Sequence, residues 1–570
     1  MKLKLSRVIF IIYLLFTLAE NASAQQKWLW AKSLCGTGSH GIYSTVLDES
    51  GNLYTAGFFS KTIDFNPDAG TFNLTSKQFT NDIFISKYDA DGNFIWAKSF
   101  GGTGNDGANN LQIDSQGNLY LIGHFDDLAD LNPDKFKSLN LKSKGEYDVF
   151  VMKLNNSGNL IWVKTFGGLG YDNGNSLALD NYGNLYVTGT FDGTADFDPD
   201  TIKEYNLASK GKSDMYISKF DTIGNFIWAK AIGGKGYDHG ALTIGPSGSI
   251  YIYGAFEDTA DFDPDLTNTF ILTSNGKNDM FISKLNKNGD FVWAKSAGGS
   301  DYDVCGITFD RSGNIYVSGQ FGKTVDFNMD IGAINNLTAI GGQEAFIAKY
   351  DSSANFIWIR QIGGTGYEAN GVIVKPDGNI YVIGWFEKNV IFNYGLPRTI
   401  EFTSSGGINI FISKYDSSGT LWWAKKIGGD KDDLNISLKI NNIGEGIMTG
   451  TFESSTISFD GITLKNKNYP YFGCSFIAKL NNMKGISSAD PHGISLYPQP
   501  ADNYCNINFE NQQSRVKVII SDLTGRIIYV DSKDQSQKII LNTENFRPGI
   551  YSMQIITENF LEAKKLIIKK

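Results

Sequence analysis

Short runs in which apolar and polar residues alternate, each ended by a turn of Gly, Asn or Asp, fill the chain from residue 28 to residue 483. Alternation with a period of two predicts half-buried β-strands, and helical spacing is scarce. The stretch Asp82 to Lys98 shows the pattern: the strand Asp82-Ile83-Phe84-Ile85-Ser86-Lys87-Tyr88, the turn Asp91-Gly92-Asn93, and the returning strand Phe94-Ile95-Trp96-Ala97-Lys98. Copies of the second arm centre on Trp30, Trp96, Trp162, Trp228, Trp293, Trp358 and Trp423, spaced by 66, 66, 66, 65, 65 and 65 residues. A long fixed period points to an architecture built by repetition.

The copy from Leu160 to Asp221 displays every part. A Trp strand, Leu160 to Phe166, precedes a glycine loop, Gly167 to Gly174, in which glycines permit positive φ and close backbone approach. Strands are then predicted at Ser176–Asp180, Leu185–Phe191 and Met215–Lys219, with a hairpin turn at Asn181–Asn184 and a long loop holding Asp196-Phe197-Asp198-Pro199-Asp200. Four hairpin-connected strands per period predict an all-β chain, a seven-bladed β-propeller of four-stranded antiparallel blades. Seven turn glycines, Gly51, Gly117, Gly183, Gly248, Gly313, Gly378 and Gly444, and seven third-strand lysines, Lys87, Lys153, Lys219, Lys284, Lys349, Lys414 and Lys479, agree with that count. An open solenoid would need polar capping repeats, and none is visible.

The phase of the array predicts how it closes. The chain enters on a Trp strand without a hairpin partner, Trp28-Leu29-Trp30-Ala31-Lys32, and leaves on Ser475-Phe476-Ile477-Ala478-Lys479, which no Trp strand follows. If Asp82 faces Phe100 across its hairpin, then by equivalence Cys474 faces Leu34 and lies beside Cys35, so a Cys35–Cys474 disulfide across the seam is expected in an oxidising compartment; two free thiols are the alternative. Cys305 and Cys505 look like small buried residues. The same ordering puts the Trp strand outermost in each blade. A basic residue stands two places after each repeated tryptophan, at Lys32, Lys98, Lys164, Lys230, Lys295, Arg360 and Lys425; edge-strand charges that deter sheet pairing account for it, a cationic ring being the alternative.

The repeated Gly-Asn-Leu-Tyr-Val-Thr-Gly, Asp-Phe-Asp-Pro-Asp, Met-Tyr-Ile-Ser-Lys-Phe and Asn-Phe-Ile-Trp-Ala-Lys segments make residues 28 to 483 resemble the bacterial β-propeller repeat family known as SBBP, which implies the fold and little about activity. Beyond them the period breaks. Tyr497-Pro498-Gln499-Pro500-Ala501, Val516 to Asp522 followed by Leu523-Thr524-Gly525-Arg526, Phe546-Arg547-Pro548-Gly549-Ile550-Tyr551, and Lys564 to Lys570 together resemble the C-terminal sorting domain of the type IX secretion system. Gln499 departs from the Asn usual in the first motif. Alternating strands with turn glycines independently predict a small C-terminal β-sandwich. The resemblance implies engagement with the secretion machinery and release from the cell or attachment to its outer surface by way of the periplasm.

Export is also written at the other end, where Lys2, Lys4 and Arg7, the apolar run Val8 to Leu18 and Ala22-Ser23-Ala24 form the three zones of a signal peptide. The expected domains are a signal peptide at 1–24, a propeller at 25–483, a linker at 484–493 and a sorting domain at 494–570. No later apolar run is long enough to span a bilayer as a helix. The net charge of -9 splits into +2 over residues 1–24, +2 over 494–570 (ten basic, eight acidic) and therefore -13 between them. That balance argues against nucleic acid as a partner.

Propeller geometry sends the glycine loop and the long loop to one face, where binding is expected. Tyr171-Asp172, Tyr237-Asp238, Tyr302-Asp303 and Tyr367-Glu368 place an aromatic ring beside a carboxylate there, a combination that holds sugars and also bridges blades. The Asp196-Asp198-Asp200 triplet and its counterparts at Asp64-Asn66-Asp68, Asp130-Asn132-Asp134, Asp261-Asp263-Asp265 and Asp326-Asn328-Asp330 are either turn caps or Ca²⁺ ligands. Blades six and seven carry Ile391-Phe392-Asn393-Tyr394 and Ser458-Phe459-Asp460-Gly461 instead. His40, His124, His239 and His492 share no metal-ligand spacing, and no paired acids or nucleophile with its base stand out, so no catalytic residue, metal or cofactor is assigned. The expectation is a non-catalytic surface module binding an unknown protein or polysaccharide, with a lectin and a propeller hydrolase or lyase as alternatives.

Overall fold

The computed structural model describes residues 27–200, 202–329, 334–366, 368–375, 378–394, 399–441, 443–481, 494–497, 501, 503–522, 526–557 and 561–569. The predicted signal peptide and the 484–493 linker lie outside them. Contacts divide the chain into two compact units, one spanning Gln26–Met483 and one containing Lys484–Lys570. Among the described residues the named strands pair antiparallel, isolated parallel bridges such as Tyr147 to Tyr171 join neighbouring repeats, and one 3₁₀ turn stands at Lys77–Phe79. No sheet closes on itself.

In the larger body the strands recur as four-stranded antiparallel units, clearest at Asn173–Leu179, Leu185–Phe191, Asp214–Phe220 and Phe226–Gly234, each paired with the next. We number seven such units among the described residues by their first strands: His40–Leu47, Gly107–Ile113, Asn173–Leu179, Asp238–Ile244, Val304–Phe309, Glu368–Val374 and Asp433–Ile440. The second and third strands are not half-buried as the alternation predicts: Leu185, Tyr186, Val187 and Thr188, like Met215, Tyr216, Ile217 and Ser218, are at most 1% exposed, because neighbouring units cover both faces. Hairpin turns close on an aspartate, as where Asp89 Oδ1 accepts the N–H groups of Asp91 and Asn93 at 2.9 and 2.8 Å.

Unit seven takes its fourth strand from the other end of the chain. Trp28–Gly36 pairs with Cys474–Leu480, with Ser33 opposite Phe476 and Leu34 opposite Ser475. The register is one residue away from the expectation. Each third-to-fourth hairpin carries a bulge, so that Tyr88 faces Phe94 but Lys87 faces Trp96, and Ile83 rather than Asp82 faces Phe100. The same shift occurs between Trp28 and Trp30, where no turn connects the strands. The extra residue carries the register to Leu34–Ser475, and Cys35 and Cys474 are disulfide-bonded with Cα atoms 4.7 Å apart.

Two devices tie each unit to the next. The connection between second and third strands reaches back to the preceding unit's fourth strand: Gly167 pairs with Asp196 and Gly168 with Ala195, so the predicted glycine loop begins as strand, and the Trp strand is not a bare edge. Phe197 on this strap is buried against Phe166 and Tyr216, with ring centroids 5.5 and 4.9 Å away. Cys35 and Gly36 hold Asp64 and Ile63 of unit one in the same way.

The second device uses the repeated Trp and Lys. Lys98 Nζ donates to the Gly158 carbonyl at 2.9 Å, and a Cβ on Gly158, whose φ is +70°, would lie 2.8 Å from the Trp96 ring. Lys32 and Trp30 grip Gly92 likewise, and Arg360 Nε reaches the Gly419 carbonyl at 2.8 Å. Lys32, Lys98, Lys230, Lys295 and Arg360 thus clasp the following unit's hairpin turn, a role neither sequence reading contained.

In the C-terminal body, all five described strands belong to one hydrogen-bonded sheet. Tyr504–Ser521 pairs with Ile494–Tyr497 near its start, with Gly549–Thr557 near its end, and with Ile527–Asn542 along both parts. Cys505, Ile507, Val518, Leu541, Met553 and Leu566 form its core.

Candidate functional site

Where the fourth strand of one unit meets the first strand of the next, two acids converge on a glycine. Asp148 lies within the strand Asn140–Leu154 of unit two, and Asp172 immediately precedes unit three. A Cβ on Gly167 would lie 2.7 Å from Asp148 Oδ1 and 2.9 Å from Asp172 Oδ2, so only glycine lets both carboxyl groups approach. Each acid holds backbone: the Lys144 N–H donates to Asp148 Oδ2 at 3.1 Å and the Gly168 N–H to Asp172 Oδ2 at 2.5 Å. Asp82 with Asp106 about Gly101, Asp214 with Asp238 beside Gly233, and Asp279 with Asp303 beside Gly298 repeat the arrangement.

These carboxyl groups are at most 3% exposed. Burial pushes Asp82, Asp148, Asp214 and Asp279 up to about 6, against the pull of the N–H groups they accept and of lysines such as Lys77 and Lys144. Asp106, Asp172, Asp238 and Asp303 rise to about 7, again through burial first, with the charge of the partner acid adding to it. At the seam between units seven and one, Cys474 takes the third-strand position, Cys35 the glycine's and His40 that of the second acid. His40 Nε2 lies 3.1 Å from both the Leu34 carbonyl oxygen and the Ser475 amide nitrogen, and burial lowers its pKa to about 4.

The sequence singled out Asp172, Asp238 and Asp303 beside Tyr171, Tyr237 and Tyr302. The structure brings each pair to a seam but turns its members apart: the acids are 0–1% exposed, whereas the tyrosines are 53%, 55% and 49% exposed. The acids are committed to holding strands, and the rings face solvent. Tyr171 packs edge-on to Tyr147 at 5.4 Å, while Lys212 Nζ stands 4.5 Å over Tyr237 and Lys277 Nζ 4.4 Å over Tyr302. Tyr367 and the side chain of Glu368 lie outside the described residues, as does His492.

The Asp-rich loops are the straps themselves. Asp196 Oδ1 accepts N–H groups from Asp198 at 3.2 Å and Tyr205 at 2.9 Å, and Asp198 Oδ1 accepts that of Asp200 at 3.0 Å. Those oxygens are engaged in turn formation. Asp68 adds an ion pair to Lys32 at 2.7 Å.

Sequence reasoning missed the third-strand acids, although superposing the repeats shows one five residues before each repeated lysine from Lys87 to Lys349. It also missed a cavity of about 240 Å³ between units four and five, lined by His239, Asn278, Tyr302, Gln320 and Gln343.

Comparison with known proteins agrees on repetition and export. The chain is 24% identical over 515 residues to an uncharacterized WD repeat-containing protein, L264, of Acanthamoeba polyphaga mimivirus, covering 77% of this chain and 37% of that one. It is 24% identical over 397 residues to the regulatory protein FlaEY of Caulobacter vibrioides, covering 65% and 39%. The chain thus spans under two fifths of the length of either. The solved structure of Sqt1 from Chaetomium thermophilum aligns over 80% of this chain and 99% of its own, at 10% identity and a TM-score of 0.35. No helix among the described residues is long and apolar enough to cross a membrane. Two segments match family models: residues 161–197 are a beta-propeller repeat of the SBBP family, and residues 495–569 are a type IX secretion system C-terminal sorting domain, which marks the protein as secreted or displayed at the cell surface.

Proposed function

We propose that residues 25–483 form a closed seven-bladed propeller serving as a non-catalytic binding module, exported behind a signal peptide and presented outside the cell. Closure is supported by hydrogen bonds across the seam between units seven and one, one of which recurs at another seam. Lys479 Nζ reaches the Ala90 carbonyl at 3.1 Å, as Lys219 Nζ reaches that of Lys287 at 3.4 Å, and Thr45 bonds Thr449 at 3.0 Å.

One observation carries the binding reading: half-exposed tyrosines recur at the same position ahead of units three, four and five, each next in the chain to a buried acid that holds backbone. Rigid aromatic rings on an ordered scaffold offer contact area at small entropic cost. The raised-pKa acids are sealed inside the seams, which favours binding over hydrolysis. The test is capture of envelope proteins and secreted polysaccharide by the full chain, compared with Tyr171→Ala, Tyr237→Ala and Tyr302→Ala variants. Capture that all three leave unchanged would remove the binding face from this position.

A further inference from the structure

The seams are not equivalent at their mouths. Between units two and three the mouth is filled: the His124 ring stacks on Tyr147 at 4.8 Å, and its Nδ1 lies 3.1 Å from Asn173 Oδ1. The corresponding residues between units four and five are Ala255, Asn278 and Val304, and the cavity of about 240 Å³ opens where the stack would be. That is room for about eight waters at roughly 30 Å³ each.

Its lining is amide-rich. Asn278, Gln320 and Gln343 each offer both a donor and an acceptor. The Gln343 Nε2 donates to the Tyr302 carbonyl at 2.9 Å, which leaves its oxygen available and orients the group. Asp303 beneath is closed off, its oxygens accepting the Gly299 and Gly322 N–H groups at 2.7 and 2.9 Å. Desolvation lowers the pKa of His239, favouring the neutral ring. Lys277, whose Nζ stands 4.4 Å over one side of the Tyr302 ring, is paired with Asp301 at 3.0 Å.

A concave site with paired donors and acceptors, one half-exposed aromatic ring and no free charge suits a molecule that is itself neutral, rich in hydroxyls and flat on one side. We infer that the mouth between units four and five binds a neutral sugar residue, the amides of Asn278, Gln320 and Gln343 bonding its hydroxyls beside Tyr302. This rests on the binding-face reading above and narrows it to one seam and one ligand class.

The test is affinity electrophoresis of the full chain through gels containing laminarin, galactomannan, xylan or starch, with alginate as the charged control. At least one neutral polysaccharide should retard the protein and alginate should not. Gln320→Ala should weaken retardation about tenfold, as expected for losing a hydrogen bond to a bound ligand. Ala255→His combined with Asn278→Tyr, which copies the filled seam, should abolish it. Phe136→Ala, at an exposed position of unit two, should leave it intact. Thermal unfolding of each variant separates lost binding from lost fold. Migration unaffected by every neutral polysaccharide overturns the inference, as does retardation that survives the filled-seam variant. If proteins are captured through Tyr171 and Tyr237 while the sugars are ignored, the binding face stands and the sugar site falls.

Discussion

Cys474 stands where earlier units carry a seam acid, Cys35 stands where they carry the seam glycine, and the two are bonded to each other. A covalent link thus occupies the contact between units seven and one that buried carboxyl groups occupy elsewhere. Closing a loop of 439 residues should stabilise the fold by up to about 6 kcal/mol in the chain-entropy view, and real bridges commonly deliver about 2–4 kcal/mol. A Cys35→Ser, Cys474→Ser double variant is therefore expected to unfold at a clearly lower temperature than the oxidised protein. Equal midpoints with and without reductant would contradict it.

The seam acids make stability depend on pH. Their pKa values are raised in the fold, to about 6 or 7 against an ordinary 3.8, and Asp433 behaves like the others. A group that holds its proton more tightly when folded contributes stability that is complete below about pH 4 and is lost as pH climbs through 6 to 7. His40, lowered to about 4, has the opposite sign, contributing more as pH rises from 4 to 6.5. Nine raised acids outweigh the three lowered imidazoles of His40, His124 and His239, so the melting temperature should be higher at pH 5 than at pH 8. Asp172→Asn should flatten part of that slope. A melting temperature that climbs steadily from pH 5 to pH 8 would mean the acids are ionised in the folded protein.

Gly158 and Gly193 form a controlled pair. Both have positive φ, +70° and +68°, but a Cβ on Gly158 meets the Trp96 ring at 2.8 Å whereas nothing lies within 4 Å of one on Gly193. Alanine at Gly193 should cost about 1 kcal/mol for the left-handed backbone alone. At Gly158 it should cost about 1–3 kcal/mol more, because the ring must move. Urea denaturation of the two variants decides; equal losses would mean the clasp carries no load.

Removing metal should change little. The strap oxygens that might ligate Ca²⁺ already accept turn N–H groups. EDTA is expected to shift the melting temperature by less than about 1 °C, since a ligand bound only by the folded form would stabilise it measurably. A larger drop, restored by Ca²⁺, would place metal in the straps.

Repetition made the four-strand unit legible, because Trp30 to Trp423 and Gly51 to Gly444 recur at a period no single strand could reveal. The joining of Trp28–Gly36 to Cys474–Leu480 was legible for the same reason. The bulge ahead of each repeated tryptophan was not. Counting across the Asp89–Asn93 turn gives a register that only side-chain packing displaces by one. Nor does adjacency in sequence tell which way Tyr171 and Asp172 face, since both lie in the loop between Gly168 and Asn173, where no strand alternation fixes the side chains. The sugar-sized mouth was hidden more deeply, as it arises from what Ala255 and Asn278 lack relative to His124 and Tyr147.

The pairing of Trp28–Gly36 with Cys474–Leu480 also sets an order of events. Trp28–Gly36 waits for a partner made some 440 residues later, so until Cys474–Leu480 has been made unit seven has an unpaired strand edge on each side of its seam.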